Sequence, residues 1–172
     1  MTEKLIHWYS QNKRDLPWRK TKDPYKIWVS EIILQQTQIK TGLVYYHNFI
    51  KKYPDIFSLA RTTEVELLKA WQGLGYYNRA MNMLSSAKHI VACNKGKFPI
   101  SYGKLVLLKG VGSYTAAAIS SICNDEKKAV LDGNVFRVIS RFFNINTPIN
   151  TSKGKAEFQL IANKLLPKNN FG

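Results

Sequence analysis

Cysteine is scarce in this 172-residue sequence, which contains only Cys93 and Cys123. Two cysteines cannot build a disulfide framework, and their separation does not match the spacing of a metal site. Both lie among apolar residues, so the sequence predicts that both thiols are buried. The sequence offers no metal-ligating set of its own, and it excludes a small secreted domain held together by disulfide bonds.

Long apolar runs and strand patterns are also missing. No apolar stretch approaches the roughly 20 residues that a membrane-spanning helix needs, and the amino terminus carries no signal-peptide pattern. We therefore expect a soluble, intracellular protein of the cytoplasm with no membrane partner. Apolar residues recur at helical spacing instead of alternating, which predicts an all-α fold in one domain over residues 1–172.

Acidic residues are few, with 11 Asp and Glu against 26 Lys and Arg and a formal net charge of +15. In a folded chain this imbalance favours a polyanionic partner, and nucleic acid before a membrane surface. The alternative is a lysine-rich composition that only keeps the protein in solution. Charge alone leaves both interpretations open.

Apolar periodicity and capping residues predict a series of helices. Asp23 and Pro24 are expected to start the helix that contains Glu31, with Asp23 as its N-cap. Further helices are predicted over residues 3–12, 42–52, 55–60, 63–71, 77–93, 114–123, 135–142 and 153–166, with a short one after Pro99. The tail from Pro167 to Gly172 is expected to lie outside any helix.

One helix holds an acidic residue in otherwise apolar surroundings. Glu31 shares a helical face with Ile27 and Leu34, and the helix ends in the uncharged polar residues Gln35, Gln36, Thr37 and Gln38. A carboxyl group held out of water has a raised pKa, which makes it a candidate general acid near neutral pH. The ordinary alternative is a solvated glutamate.

Two closely spaced glycines, Gly110 and Gly112, precede a helix rich in alanine and threonine. They permit a tight hairpin with exposed backbone N–H groups as far as Ser113, and the helix dipole points at the same place. Such a helix start binds anions, here most simply a DNA phosphate. The pattern predicts a helix–hairpin–helix motif over residues 105–123. The alternative is a glycine turn between two ordinary helices.

A second carboxylate, Asp132, precedes the helix that follows Gly133 and Asn134. Aspartate at this place is most often an N-cap, and capping is compatible with catalysis. Backbone N–H groups would keep Asp132 ionised while apolar burial keeps Glu31 protonated. Two carboxyl groups with separated pKa values are what cleavage of a glycosidic bond requires.

Five motifs together resemble those of a known enzyme family in order and spacing. They are Leu16–Arg19, Ser30–Gln38, Trp71–Ala80, Leu107–Ala117 and Leu131–Val135. The sequence is similar, from about residue 5 to the last helix, to MutY-type adenine DNA glycosylases of the helix–hairpin–helix superfamily, which includes endonuclease III. The resemblance implies a six-helix barrel subdomain with an incomplete terminal-helix subdomain.

The resemblance also implies a function. Family members act in base excision repair, as hydrolases that cleave the N-glycosidic bond of adenine opposite 8-oxoguanine or guanine. The implied partner is double-stranded DNA with that mispair, bound by a monomer.

Four residues match the catalytic positions of the family. Glu31 resembles the acid that protonates N7 of a flipped adenine, and Asp132 the aspartate that stabilises the oxocarbenium ion. Asn134 is similar to its polar neighbour. Tyr114 stands where bifunctional relatives carry a Schiff-base lysine, so the resemblance implies a monofunctional enzyme.

Other matching residues are implied to contact DNA or the base. Gln36 resembles a wedge that enters the base stack, with Gln35 and Thr37 beside it, and Tyr76 resembles a second wedge; a base must leave the stack before it can be excised. The residues that match the adenine pocket are Arg14, Trp18 and Arg19. Without the resemblance, Tyr76 and Tyr77 have the alternative interpretation of two core aromatics after a turn, and Trp18 taken alone is better interpreted as a core residue.

The sequence departs from the family in two places. Lys109 replaces a common hairpin proline, with little expected effect. Family members also continue into a segment with four cysteines that hold a 4Fe–4S cluster, and usually into a domain that recognises 8-oxoguanine. Cys93 and Cys123 cannot supply those ligands, so we expect the chain to stop before both. A non-catalytic DNA-binding remnant and a bifunctional endonuclease III-like lyase are the alternatives.

Overall fold

In the computed structural model, residues 2–167 are described, and they form helices joined by turns, without a strand in that range. The predicted all-α fold is confirmed. The predicted tail beyond Pro167 lies outside the described residues. None of the helices in residues 2–167 combines the length and apolar character that crossing a bilayer would require.

Ten α-helices occupy the described range. They are α1 Thr2–Asn12, α2 Pro24–Ile33, α3 Ile39–Lys52, α4 Ile56–Arg61, α5 Glu64–Trp71, α6 Asn78–Asn94, α7 Tyr102–Leu105, α8 Ser113–Asn124, α9 Gly133–Phe143 and α10 Ser152–Lys164. The predicted helix starts lie within about three residues of the observed ones, and α3 begins at Ile39 where residue 42 was predicted. The largest difference is at the end of α2, which was predicted to continue through the polar residues to Gln38 but ends at Ile33. Gln36 adopts a left-handed backbone with φ of 55°, and a right-handed helix cannot continue through it. Gly42 lies inside α3, where a Cβ would come within 2.7 Å of the Leu34 side chain. This glycine permits the close approach of α3 to the end of α2.

Capping side chains explain where several helices begin. The Asp23 carboxylate accepts hydrogen bonds from the backbone N–H groups of Tyr25 and Lys26, and Pro24 occupies the first turn of α2. Reciprocal capping boxes start α4 at Asp55 and α5 at Thr63. Each cap satisfies backbone donors that the first helical turn leaves unpaired.

The larger hydrophobic core lies among α2 to α8, and α2 runs through it. Trp28, Val29 and Ile33 of α2 are fully buried, as is Trp71 at the end of α5. Each such side chain contributes about 1.5–3 kcal/mol by leaving water. The helix α2 packs against both α3 and α8. It therefore lies beside the helix that follows the glycine hairpin.

A second, smaller core joins α9 to α10. Ile139 and Phe158 are buried there, and the rings of Phe136 and Phe158 meet edge to face with centroids 5.1 Å apart. The hydroxyl of Thr2 donates to the backbone carbonyl of Leu165 at 3.0 Å, which connects the start of α1 to the end of α10. These two cores correspond to the barrel and terminal-helix subdomains implied by the resemblance.

Candidate active site

Glu31 lies in the last turn of α2, at the boundary between the two cores. Its side chain is only partly exposed, and no hydrogen bond to its carboxyl group occurs within residues 2–167. Desolvation raises the pKa of Glu31 from 4.5 to about 7. The protonated acid is therefore well populated at neutral pH, as expected for a carboxyl group held out of water.

A cavity of about 600 Å³ opens beside Glu31. Tyr114 of α8 and Asn134 of α9 share its lining, and most of the remaining wall is apolar, including Ile122 and Val135. Lys128 also lines the cavity. A volume of this size accommodates a small planar ligand. We call it the Glu31 cavity.

Asp132 is the N-cap of α9, as the sequence predicts. Its carboxylate accepts hydrogen bonds from the backbone N–H groups of Asn134 and Val135 at 3.0 and 2.8 Å, and from the Asn134 side-chain amide at 3.2 Å. These three donors fix the position of the carboxylate at the start of α9. Capping therefore holds a carboxylate next to Asn134, which lines the cavity.

Tyr114 lies close enough to both carboxyl groups for their charges to affect its phenol. Burial raises the pKa of its phenol to about 12, and the charges of Glu31 and Asp132 act in the same direction. The phenol is therefore neutral at physiological pH. The structure thus brings Glu31, Asp132, Tyr114 and Asn134 into one neighbourhood, while their catalytic roles stay predictions.

Two predicted DNA-contacting residues lie on turns and are not part of the lining of the Glu31 cavity. Gln36 follows α2 with φ of 55°, and Tyr76 precedes α6 with φ of 48°. Both side chains are exposed, Tyr76 to 64%. The interpretation of Tyr76 as a core aromatic is therefore wrong. Gln35 and Thr37 are half-buried beside Gln36, and the Thr37 hydroxyl donates to the Gln35 carbonyl at 3.3 Å.

The predicted helix–hairpin–helix motif is present, with α7 and α8 flanking the hairpin. Gly110 has φ of 80°, and a Cβ there would come within 2.7 Å of the Cβ of Asn82 in α6. The Ser86 hydroxyl of α6 donates to the Lys109 carbonyl at 3.0 Å. Gly112 is the N-cap of α8, and Ser113 is exposed in its first turn. The hairpin backbone is thus held against α6 with its outer edge accessible.

The three residues predicted to line an adenine pocket lie elsewhere. Trp18 is buried in the larger core and meets Tyr46 edge to face at 5.0 Å. Arg19 donates to the Arg14 carbonyl at 3.2 Å, and both arginines are exposed. None of the three lines the Glu31 cavity. Pro17 begins a short 3₁₀ turn that directs Trp18 inward, so the interpretation of Trp18 as a core residue matches its position.

The cysteines do not fit an iron–sulfur cluster, which takes four cysteine ligands. Cys93 is exposed on α6, so the prediction of a buried thiol was wrong there. Cys123 is half-buried at the end of α8, and burial raises the pKa of its thiol to about 11. Within residues 2–167, no group of three or more His, Cys, Asp and Glu side chains could hold a metal ion.

Arg79 lies in the Trp71–Ala80 motif, and no local sequence pattern indicates a role for it. Its guanidinium donates hydrogen bonds to backbone carbonyls at the end of α2 and in the turn before α6. One signal could have indicated such a residue. The last turn of α2 contains no basic side chain, so its unpaired carbonyls need a donor from elsewhere in the chain.

Replacing Glu31 with glutamine is expected to stabilise the protein at alkaline pH. The folded state holds the Glu31 proton up to about pH 7, whereas the unfolded chain releases it near 4.5. The free energy of unfolding of the wild type therefore falls as pH rises from 4.5 to 7, and Glu31→Gln escapes that loss. We expect the variant to be more stable by about 2 kcal/mol at pH 8, allowing for partial solvent access of the carboxyl group.

Urea unfolding of both proteins at pH 4 and pH 8 measures this difference. The two free energies of unfolding should agree at pH 4, where both states of the wild type are protonated. Equal stabilities at pH 8 would contradict a desolvated Glu31.

Comparison with known proteins supports the fold and indicates a family. Residues 29–166 match the sequence profile of HhH-GPD superfamily base excision DNA repair proteins. An adenine DNA glycosylase of Buchnera aphidicola subsp. Baizongia pistaciae is 43% identical over 143 residues, covering 83% of this chain and 41% of that protein. The corresponding protein of the subspecies Schizaphis graminum is 38% identical over 169 residues, covering 98% and 49%. The chain thus spans less than half the length of these two relatives.

A solved structure is similar along nearly the whole chain. The structure of a thermostable thymine-DNA glycosylase superposes with a TM-score of 0.87 at 29% identity, covering 96% of this chain and 76% of that one. The arrangement of helices in this chain is therefore that of a solved DNA glycosylase.

Proposed function

Because the chain belongs to the HhH-GPD superfamily of base excision DNA repair proteins, we propose that it is an adenine DNA glycosylase acting on adenine paired with 8-oxoguanine or guanine. The observation that carries the proposal is the Glu31 carboxyl group, whose pKa desolvation raises to about 7, in a cavity shared with Tyr114 and Asn134. The similarity to proteins named adenine DNA glycosylases supports adenine as the base.

The first chemical step uses the Glu31 proton. With adenine in the Glu31 cavity, the protonated carboxyl group donates to N7 of the base. The C1′–N9 bond then breaks, its electron pair moves to N9, and adenine leaves as a neutral molecule. A carboxyl group with a pKa near the working pH holds a proton and yet releases it readily.

The second step uses the Asp132 charge. Departure of the base leaves a positive charge on C1′ and the ring oxygen of the sugar, which a nearby carboxylate stabilises. Water then adds to C1′ and gives a proton to the Glu31 carboxylate left by the first step, which restores the acid and leaves an abasic sugar in an uncut strand. Asp132 is held for this task by three hydrogen bonds, two of them from its own helix backbone.

Double-stranded DNA is the proposed partner, bound by a monomer that works inside the cell. The net charge of +15 favours a polyanion, and the hairpin at Gly110 and Gly112 offers backbone N–H groups to a phosphate. Gln36 and Tyr76 are proposed to enter the stack from their exposed turns, since the base must be flipped before it reaches Glu31. One catalytic domain over residues 1–172 would contain all of these parts.

One observation favours a second candidate, a bifunctional glycosylase/lyase. Lys128 lines the Glu31 cavity together with Tyr114, so an amine lies near the proposed position of the sugar. Its ammonium nitrogen lies 4.7 Å from the centre of the Tyr102 ring, a cation–π contact. Because position 114, which matches the Schiff-base lysine of bifunctional relatives, is a phenol in this chain, we propose the monofunctional reaction.

Product analysis under single-turnover conditions tests the proposal. The protein is mixed with a duplex containing one adenine opposite 8-oxoguanine, and free adenine and strand breaks are measured with and without borohydride. We expect adenine release, an alkali-labile but uncut strand, and no borohydride-trapped protein–DNA adduct, because position 114 carries a phenol and not the lysine that would form a Schiff base.

The contrary outcomes separate the alternatives. Binding to plain duplex with a steep salt dependence and no adenine release would indicate a non-catalytic DNA-binding protein. A trapped adduct that disappears in Lys128→Met would assign a lyase activity to that amine. A duplex with thymine in place of the adenine is the matched control for base identity.

A further inference from the structure

The Arg79 side chain donates five hydrogen bonds, all of them to backbone carbonyls. One terminal nitrogen donates to the carbonyls of Ile32, Ile33 and Gln35 at 2.9, 3.0 and 2.6 Å. The other donates to Leu74 and Gly75 at 3.2 and 3.1 Å. The guanidinium therefore joins two chain segments that are about 40 residues apart in sequence, by five hydrogen bonds.

The surroundings of Arg79 suit this bridging task. Its guanidinium lies 5.3 Å from the Trp71 ring centre and 5.6 Å from that of Tyr76. Within the described chain it forms no ion pair with a carboxylate, so its charge is compensated by carbonyl oxygens and aromatic faces. A cation at the end of α2 also opposes the negative end of the helix dipole.

Both joined segments carry an exposed side chain on a left-handed backbone. Gln36 has φ of 55° and Tyr76 has φ of 48°. This conformation is unfavourable for residues with a Cβ and persists only where neighbouring contacts impose it. Arg79 binds the carbonyl of Gln35, directly before Gln36, and that of Gly75, directly before Tyr76. The same side chain therefore constrains the backbone at both exposed residues.

We propose that Arg79 is a positioning residue that holds the turns 34–37 and 73–77 as one rigid, two-pronged element, so that Gln36 and Tyr76 enter the DNA stack together. This inference rests on the proposed function. A pre-ordered pair of prongs avoids ordering two separate loops at the moment of base extrusion. Lysine cannot replace Arg79 in this role. A single ammonium offers three donors from one point, whereas the planar guanidinium reaches both turns.

The first test compares two substrates that differ only in how stacked the adenine is. Single-turnover adenine release is measured for the wild type and Arg79→Lys on an A·8-oxoguanine duplex, and on the same duplex with the adenine in a short unpaired bubble. We expect Arg79→Lys to slow release from the duplex on the order of 10²-fold, as a misplacement of about 1 Å does. The bubble rate should fall less than about threefold, because the base is already largely unstacked.

The second test needs no catalysis and has a matched control. Amide hydrogen exchange should accelerate in both turns in Arg79→Lys. Tyr45→Phe removes a hydrogen bond of 2.8 Å to the Gln72 carbonyl, which holds only the second turn, so exchange should accelerate around residues 73–77 and not around 34–37. Thermal unfolding of each variant shows whether it is folded at the assay temperature.

Each outcome decides the inference. Equal loss of activity on duplex and bubble would mean that Arg79 acts only in folding, and unchanged rates on both would mean that it does not position the prongs. Faster exchange in only one turn would also overturn the coupling. If the wild type releases adenine from neither substrate, the proposed function itself fails and takes this inference with it.

Discussion

Glu31→Gln should slow single-turnover adenine release from an A·8-oxoguanine duplex on the order of 10³-fold, the range expected for loss of a general acid. Glutamine has the same shape as protonated glutamic acid and introduces no buried charge, so the cavity should be preserved. What the variant lacks is the proton for N7 of the leaving base. Quenched-flow or manual quench assays with the protein in excess over DNA measure this rate directly.

A matched control separates this effect from a general effect of the substitution. Glu64 is exposed in the first turn of α5, far in sequence from the cavity residues, and Glu64→Gln should retain the wild-type rate. Duplex binding by Glu31→Gln should also remain intact, because Glu31 lies in the cavity and not on the exposed turns. Undiminished release by Glu31→Gln would remove Glu31 as the acid.

Asp132→Asn should slow the same step about 10²-fold or more, in the range found when one transition-state stabilising group is lost. Asparagine caps helices about as well as aspartate, so α9 should keep its N-terminus while the negative charge near the sugar disappears. The loss is thus assigned to charge and not to unfolding. The free energy of unfolding should change by less than about 1 kcal/mol, the typical value of a whole cap.

The cap of α4 provides the control for this substitution. Asp55 is likewise an N-cap and accepts a hydrogen bond from the Ser58 backbone N–H at 2.7 Å, and this bond is the main cause that lowers the pKa of its carboxyl group. Asp55→Asn should leave adenine release unchanged. A rate for Asp132→Asn equal to that of the wild type would leave Asp132 with a capping role only.

Local sequence signals account for much of the fold and part of the site. Asp23 followed by Pro24 predicts the start of α2, and Asp132 predicts the cap of α9, because capping depends on neighbouring residues. The apolar residues next to Glu31 in the sequence likewise predict that its carboxyl group is desolvated. The left-handed glycine at position 110 follows from the hairpin pattern. Each of these features is decided within a few residues of chain.

The remaining features depend on contacts between distant segments. Arg79 reaches carbonyls more than 40 residues earlier, and nothing near it in sequence indicates those partners. Trp18 points into the core, where it packs against Tyr46, whereas the sequence allows either a pocket or a core position. Cys93 lies among apolar neighbours in sequence but on the exposed face of α6. Helical periodicity is least informative for such single residues at a boundary between faces.

The pH dependence of adenine release tests the central claim, that a desolvated Glu31 supplies the proton. Single-turnover rates would be measured between pH 5 and 9 for the wild type and Glu31→Gln on the same duplex. Because desolvation raises the pKa of Glu31 to about 7, the wild-type rate should be highest at low pH and fall as pH rises through 7, while the residual rate of the variant should not show that transition. A wild-type rate that stays constant from pH 5 to 9, or a variant that keeps the same transition, would contradict the account.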